Sequence, residues 1–94
     1  MLLWILRPVT VRQPNDDPWE PWYDKVFGFV VRAETEEGAR ELAHQNAGDE
    51  NRGEFLQKAT VKTKSPWLDK RYSTCEVLRN EGEVGVIMQD FVSA

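Results

Sequence analysis

Ten residues, Asn15 to Asp24, hold two prolines, three large aromatic rings and four carboxylates, and they constrain the chain more than any other stretch. Prolines fix φ and remove backbone donors, while that much aromatic area is costly to leave in water. The segment is therefore expected to be an ordered loop rather than a flexible linker, serving either packing or recognition. It runs directly into Val26-Phe27-Gly28-Phe29-Val30-Val31, the clearest strand pattern in the sequence.

With 94 residues, 40% hydrophobic and 30% charged, the chain has the size and composition of one ordered domain spanning 1–94. Four tryptophans predict an aromatic-rich core, and a domain this small has no room for an internal cofactor cavity as well, so no cofactor is expected. The formal net charge of -4 argues against a general nucleic-acid binder. A single cysteine, Cys75, excludes an internal disulfide and fits a reducing, cytoplasmic setting. The apolar start Met1-Leu2-Leu3-Trp4-Ile5-Leu6 is short and meets Arg7-Pro8, so it reads as a strand rather than a signal peptide. No run approaches the roughly 20 apolar residues that span a bilayer, and no membrane association is expected.

Leu2 to Arg7 is apolar on both faces, as in a central strand covered on both sides. Val26 to Ala33 alternates as a second strand, with Gly28 leaving a gap for a neighbouring side chain. Thr35 is the expected N-cap of a helix to Ala47. Glu36 and Glu37 favour its first turn, and Ala39, Leu42, Ala43, Asn46 and Ala47 form its inner stripe. Gly48 is the expected stop, and Glu36 and Arg40 are expected to pair on the solvent face. Residues 49–54 read as a polar loop, and Lys58 to Lys64 alternates as an exposed strand or arm guarded by lysines. Trp67 and Leu68 are expected to anchor a break in the chain. Tyr72 to Leu78 and Val84 to Phe91 read as a hairpin across Arg79-Asn80-Glu81-Gly82-Glu83.

Catalytic chemistry finds little support. Cys75 and His44 are the sole cysteine and histidine, so they are the only Cys-His pair available. Cys75 falls inside a predicted strand, where a cysteine is most often a small buried hydrophobe, and His44 has no flanking motif. Neither is assigned a catalytic role, and the chain is read as a non-enzyme. Asp16, Asp17, Glu20 and Asp24 match no metal loop, because the alternation and central glycine of a calcium loop are missing and prolines limit convergence. They read as solvated loop charges, and no metal is expected.

Two binding surfaces remain. Asp16, Asp17, Trp19, Glu20, Trp22 and Tyr23 are the candidate protein-contact residues, since an exposed tryptophan is the kind of anchor that dominates interfaces. Trp22 is expected to pack, whereas Trp19 is open to either role. Lys58, Lys62, Lys64, Lys70 and Arg71, interrupted by Trp67 and followed by Tyr72, form the one basic cluster and carry the alternative, nucleic-acid binding. Against that alternative stand the acidic loop and the charge of the remainder: residues 1–57 hold six basic and eleven acidic groups, residues 58–94 six and five.

The run Asp17-Pro18-Trp19-Glu20-Pro21-Trp22-Tyr23-Asp24-Lys25, then Phe27-Gly28-Phe29-Val30-Val31-Arg32-Ala33-Glu34, Ala39-Arg40-Glu41-Leu42-Ala43, Trp67-Leu68-Asp69 and Ser73-Thr74-Cys75 resembles a group of small, uncharacterised proteins of bacterial and phage genomes. The resemblance covers most of the chain, with 49–64 as a variable insertion, and it brings no activity. It implies a stand-alone phage or mobile-element domain, of a kind that often acts by binding a host or viral protein.

The expectation is thus an α+β domain, a mainly antiparallel sheet of four or five strands with one helix on one face, acting as a non-enzymatic protein-binding module. Val84-Gly85-Val86-Ile87-Met88 carries no lysine guard, so it is expected to pair with Leu2 to Arg7 or with a second copy, giving a monomer or a homodimer.

Overall fold

The computed structural model describes residues 1–9, 17–19, 24–51 and 65–89. They form an α+β arrangement of β1 (Leu2–Pro8), β2 (Phe29–Ala33), α1 (Glu36–Gln45) and β3 (Ser73–Val77). The sheet is antiparallel throughout in the order β2-β1-β3, so the apolar first strand is central, as its composition predicts. Among the described residues it has three strands rather than four or five, and Lys58 to Lys64 lies outside them.

The register follows from period-two alternation. Trp4 is opposite Val31 and Val77, and Leu6 is opposite Phe29 and Cys75. These residues share the face that α1 covers, where Leu6, Trp19, Ala33, Ala39, Ala43, Trp67 and Tyr72 make the core. Three ring contacts organise it at edge-on geometry: Trp19 and Phe29 lie 4.8 and 4.9 Å from Trp67, and Phe27 lies 6.4 Å from Trp19. The opposite face, with Leu3, Ile5 and Arg7 on β1 and Val30 and Arg32 on β2, is only partly covered. Ile5 is buried while Leu3 and Val30 are exposed, so coverage of β1 on both sides holds at its centre and not at its start.

β2 begins three residues later than alternation suggests. The Val26 N–H donates to the Glu50 carboxylate at 3.1 Å instead of a ladder partner, and Gly28 lies under the Met88 side chain. α1 is capped as expected, Thr35 Oγ1 accepting from Gly38 N at 3.1 Å. It stops at Asn46, whose side chain donates to the Leu42 carbonyl at 2.8 Å, and not at Gly48. Gly48 instead permits a close approach of two backbone segments. A Cβ there would collide with the Asp24 carbonyl, the same oxygen that accepts from Asp49 N at 2.6 Å.

The inner face of α1 is rotated from the expected stripe. Ala39, Arg40 and Ala43 are buried, whereas Leu42 is exposed. Arg40 does pair with Glu36 at 2.9 Å, but it is only 5% exposed, because its guanidinium runs under the turn that precedes β3. In that turn Trp67 enters the core and Leu68 does not.

The expected hairpin is not formed. Tyr72 to Leu78 does contain β3, but β3 pairs with β1, and described residues 84–89 are in no strand. With β2 on one edge of β1 and β3 on the other, Val84–Met88 cannot pair with Leu2 to Arg7 either. Gly82 sits at φ 145°, a conformation that suits glycine and not a side chain entering a strand, and Gly85 adds a second residue of low strand propensity.

Candidate interaction surface

The aromatic loop, where it is described, is a core element. Asp17 Oδ1 accepts from Trp19 N at 2.9 Å, an Asx turn that aims the indole inward. Lys25 Nζ donates to the Trp19 carbonyl at 2.7 Å and lies 5.3 Å over the Phe27 ring. Trp19 is 2% exposed, so this candidate contact residue is corrected to a core residue; its indole Nε1 is buried without a hydrogen-bond partner. Asp17 is half-buried, and Asp16, Glu20, Trp22 and Tyr23 lie outside the described residues.

Beneath the loop sit two polar knots that sequence reasoning misses. Glu50 is fully buried, and its Oε2 accepts from Val26 N at 3.1 Å and Trp67 Nε1 at 2.8 Å, tying β2's entry to the turn before β3. Its Oε1 has no hydrogen-bond partner. Arg40 Nη1 donates to the Trp67 carbonyl at 2.9 Å and to Ser73 Oγ at 2.8 Å, while Nη2 donates to the Ser73 carbonyl at 3.1 Å. Ser73 Oγ in turn donates to the Pro66 carbonyl at 2.7 Å. A buried guanidinium is tolerable because its donors are answered. In the sequence, Glu50 reads as one more charge in a polar loop and Arg40 as the outer half of an i,i+4 pair. No local signal marks either.

The groups with nucleophilic potential do not assemble. Cys75 is half-buried on β3, and loss of hydration pushes its thiol above the usual value, partly countered by nearby Arg40, which works against a reactive thiolate. His44 stands at the end of α1 with Nδ1 buried and unpartnered, and no hydrogen bond joins it to Cys75. Among the described residues, no three imidazole, thiol or carboxylate groups gather as cation ligands. Nor is any helix among them long and apolar enough to cross a membrane.

The basic cluster is described only at Lys70 and Arg71. Lys70 lies 3.9 Å from Glu36, and Arg71 is held by Asp69 at 2.8 Å and lies 5.3 Å over the Tyr72 ring. Trp67 and Tyr72, the rings that base stacking would need, are fully buried. Lys58, Lys62 and Lys64 lie outside the described residues.

A different surface is open. Val86 is 77%, Ile87 55% and Phe27 48% exposed, and Val84 and Met88 are exposed beside them. The segment is attached at two points: an Arg7 Nη2 hydrogen bond to the Ile87 carbonyl, and the Met88 side chain seated over Gly28. Between these attachments and Pro8 lies a solvent-open groove of about 390 Å³, ending at Gln89. Phe27 joins this groove to the aromatic loop, since its ring also meets Trp19. The apolar character of Val84–Met88 is evident from sequence; that the segment stays unpaired is not.

No protein-family model, curated protein or solved structure matches the chain.

Proposed function

We propose that this chain is a non-enzymatic protein-interaction module whose contact surface is the Val84–Met88 segment together with Phe27. One observation carries the reading: consecutive apolar side chains stand in solvent on a segment attached to the sheet through Arg7 and Met88. Apolar side chains grouped in this way mark contact sites more often than scattered single ones do. The surface meets the described part of the aromatic loop where the Phe27 ring contacts Trp19; Asp16, Asp17, Glu20, Trp22 and Tyr23 remain contact candidates on the sequence alone. The resemblance to phage and mobile-element proteins supports a cytoplasmic host or viral protein as the partner class, with a second copy of the chain as the competing one.

The test is affinity capture from a lysate of the cells that carry the protein, comparing wild type with a Val86→Ser/Ile87→Ser variant of unchanged near-ultraviolet dichroism. A partner retained by wild type and lost by the variant is expected. Equal capture by both proteins overturns the assignment of the surface. Light scattering across a concentration series separates the homodimer, whose mass rises with concentration, from a monomer that binds another protein.

A further inference from the structure

Five of the seven described residues that line the groove are apolar, and one, Arg7, is a cation. Arg7 projects from the face of β1 opposite α1, and one of its terminal nitrogens is committed to the Ile87 carbonyl. No carboxylate of the described residues pairs with it, in contrast with Arg40 on Glu36 and Arg71 on Asp69. The remaining guanidinium donors are thus available at the wall of a groove that Phe27, Val86, Ile87 and Met88 also line.

A guanidinium in that setting selects its ligand by chemistry. Its planar fork fits a carboxylate with two parallel hydrogen bonds. A polyphosphate backbone is disfavoured, because affinity for it grows with the number of phosphates neutralised and, among the described residues, one cation lines the groove. The groove is open to solvent, whereas pockets for small ligands enclose most of the ligand's surface, so an extended chain fits it better than a small apolar acid does.

Building on the contact surface proposed above, we infer that the groove accepts an extended peptide segment in which one acidic side chain, flanked by apolar residues, pairs with Arg7 while its neighbours pack on Phe27, Val86 and Ile87. Arg7 then sets specificity, and the apolar wall supplies the packing.

The test uses two pools of heptapeptides, acetylated and amidated at their ends, with Leu, Ile, Val or Phe flanking a central Glu in one pool and a central Gln in the other. Each is titrated into the isotope-labelled full chain and followed by the amide resonances of Phe27, Ile87 and Met88. The Glu pool is expected to shift these resonances at a concentration at least about tenfold below the Gln pool. Arg7→Gln should erase that difference, and Arg7→Lys should restore part of it, with the resonances of α1 reporting an intact fold. Equal binding of the two pools, lost in Ile87→Ser, overturns the carboxylate while leaving the contact surface standing. No shift from either pool overturns the inference outright, and partner capture then decides the surface by itself.

Discussion

The two ends of the aromatic region treat their apolar and polar groups in opposite ways. On the α1 side, Trp19, Trp67 and Tyr72 are buried, and a glutamate and an arginine are buried with them to satisfy the backbone of the turns that carry those rings. On the Val84–Met88 side, apolar side chains stand in water, and Arg7, the only charged group among the described residues lining the groove, keeps donors to spare. The first region commits most of its polar groups to internal connections, and the two left over, the Trp19 indole N–H and Glu50 Oε1, are buried away from any ligand. The second offers apolar area and a cation with few internal obligations, which is what a recognition surface requires.

The largest effects should therefore fall on the closed side. Trp67→Ala removes a fully buried ring that meets Trp19 and Phe29 and also strips the Glu50 carboxylate of a donor. A loss of about 4 kcal/mol is expected in urea denaturation. Close behind, Arg40→Ala removes a donor from two carbonyls and from the Ser73 hydroxyl and should cost about 3 kcal/mol. Glu50→Leu orphans Val26 N–H and the Trp67 indole N–H together, and about 2 to 4 kcal/mol is expected from two unmet buried donors. If Arg40→Ala or Glu50→Leu instead unfolds at the wild-type urea midpoint, the contrast between a knotted side and a free side fails.

How much of this is legible in the sequence depends on whether the deciding interaction is local. The Thr35 cap is written in four consecutive residues, and the central place of Leu2–Pro8 follows from its apolar side chains on both faces; both are present. Trp67 is legible as a core anchor because it is a large ring at the point where the lysine-threonine alternation breaks, although Leu68, expected to anchor beside it, is exposed. Arg40 is misleading because its i,i+4 spacing to Glu36 looks identical on a solvated helix, and its real partners lie 27 and 33 residues away. The hairpin fails for a related reason. Val84–Met88 has strand-like residues, yet β3 finds its partner in the first strand, near the other end of the chain, and leaves the neighbouring segment without one. Trp19 can be narrowed to two roles, and only the Asx turn at Asp17 and the ring of Trp67 decide between them.

A smaller effect concerns Cys75, which sits on the covered face of the sheet opposite Leu6. Burial raises its thiol above the usual value, so the folded state holds the neutral thiol more firmly than the unfolded chain does. The stabilisation is present below the unfolded value of about 8.5 and is lost as pH rises from there through the folded value. Cys75→Ala should therefore flatten the alkaline limb of a stability profile above the unfolded thiol value of about 8.5. Labelling by iodoacetamide at neutral pH should be slow in the folded protein and fast in urea. Rapid labelling without denaturant would contradict a covered thiol and reopen a chemical role for it.

The smallest effect on stability, and the sharpest contrast with Trp67, belongs to Ile87. Its side chain is more than half exposed, and the attachment to Arg7 uses its backbone carbonyl, which any residue supplies. Ile87→Ser should accordingly leave the urea midpoint within the equivalent of about 0.5 kcal/mol, the range of ordinary surface changes. A residue that contributes almost nothing to folding yet exposes a branched aliphatic group stands at a stability-neutral position, where solubility alone would favour serine. Ile87→Ser is also one of the two substitutions in the variant expected to lose partner capture, so the same position reads out both halves of the comparison. If Ile87→Ser destabilises the chain by as much as Arg40→Ala, the segment is part of the folding unit and its exposed face is no separate surface.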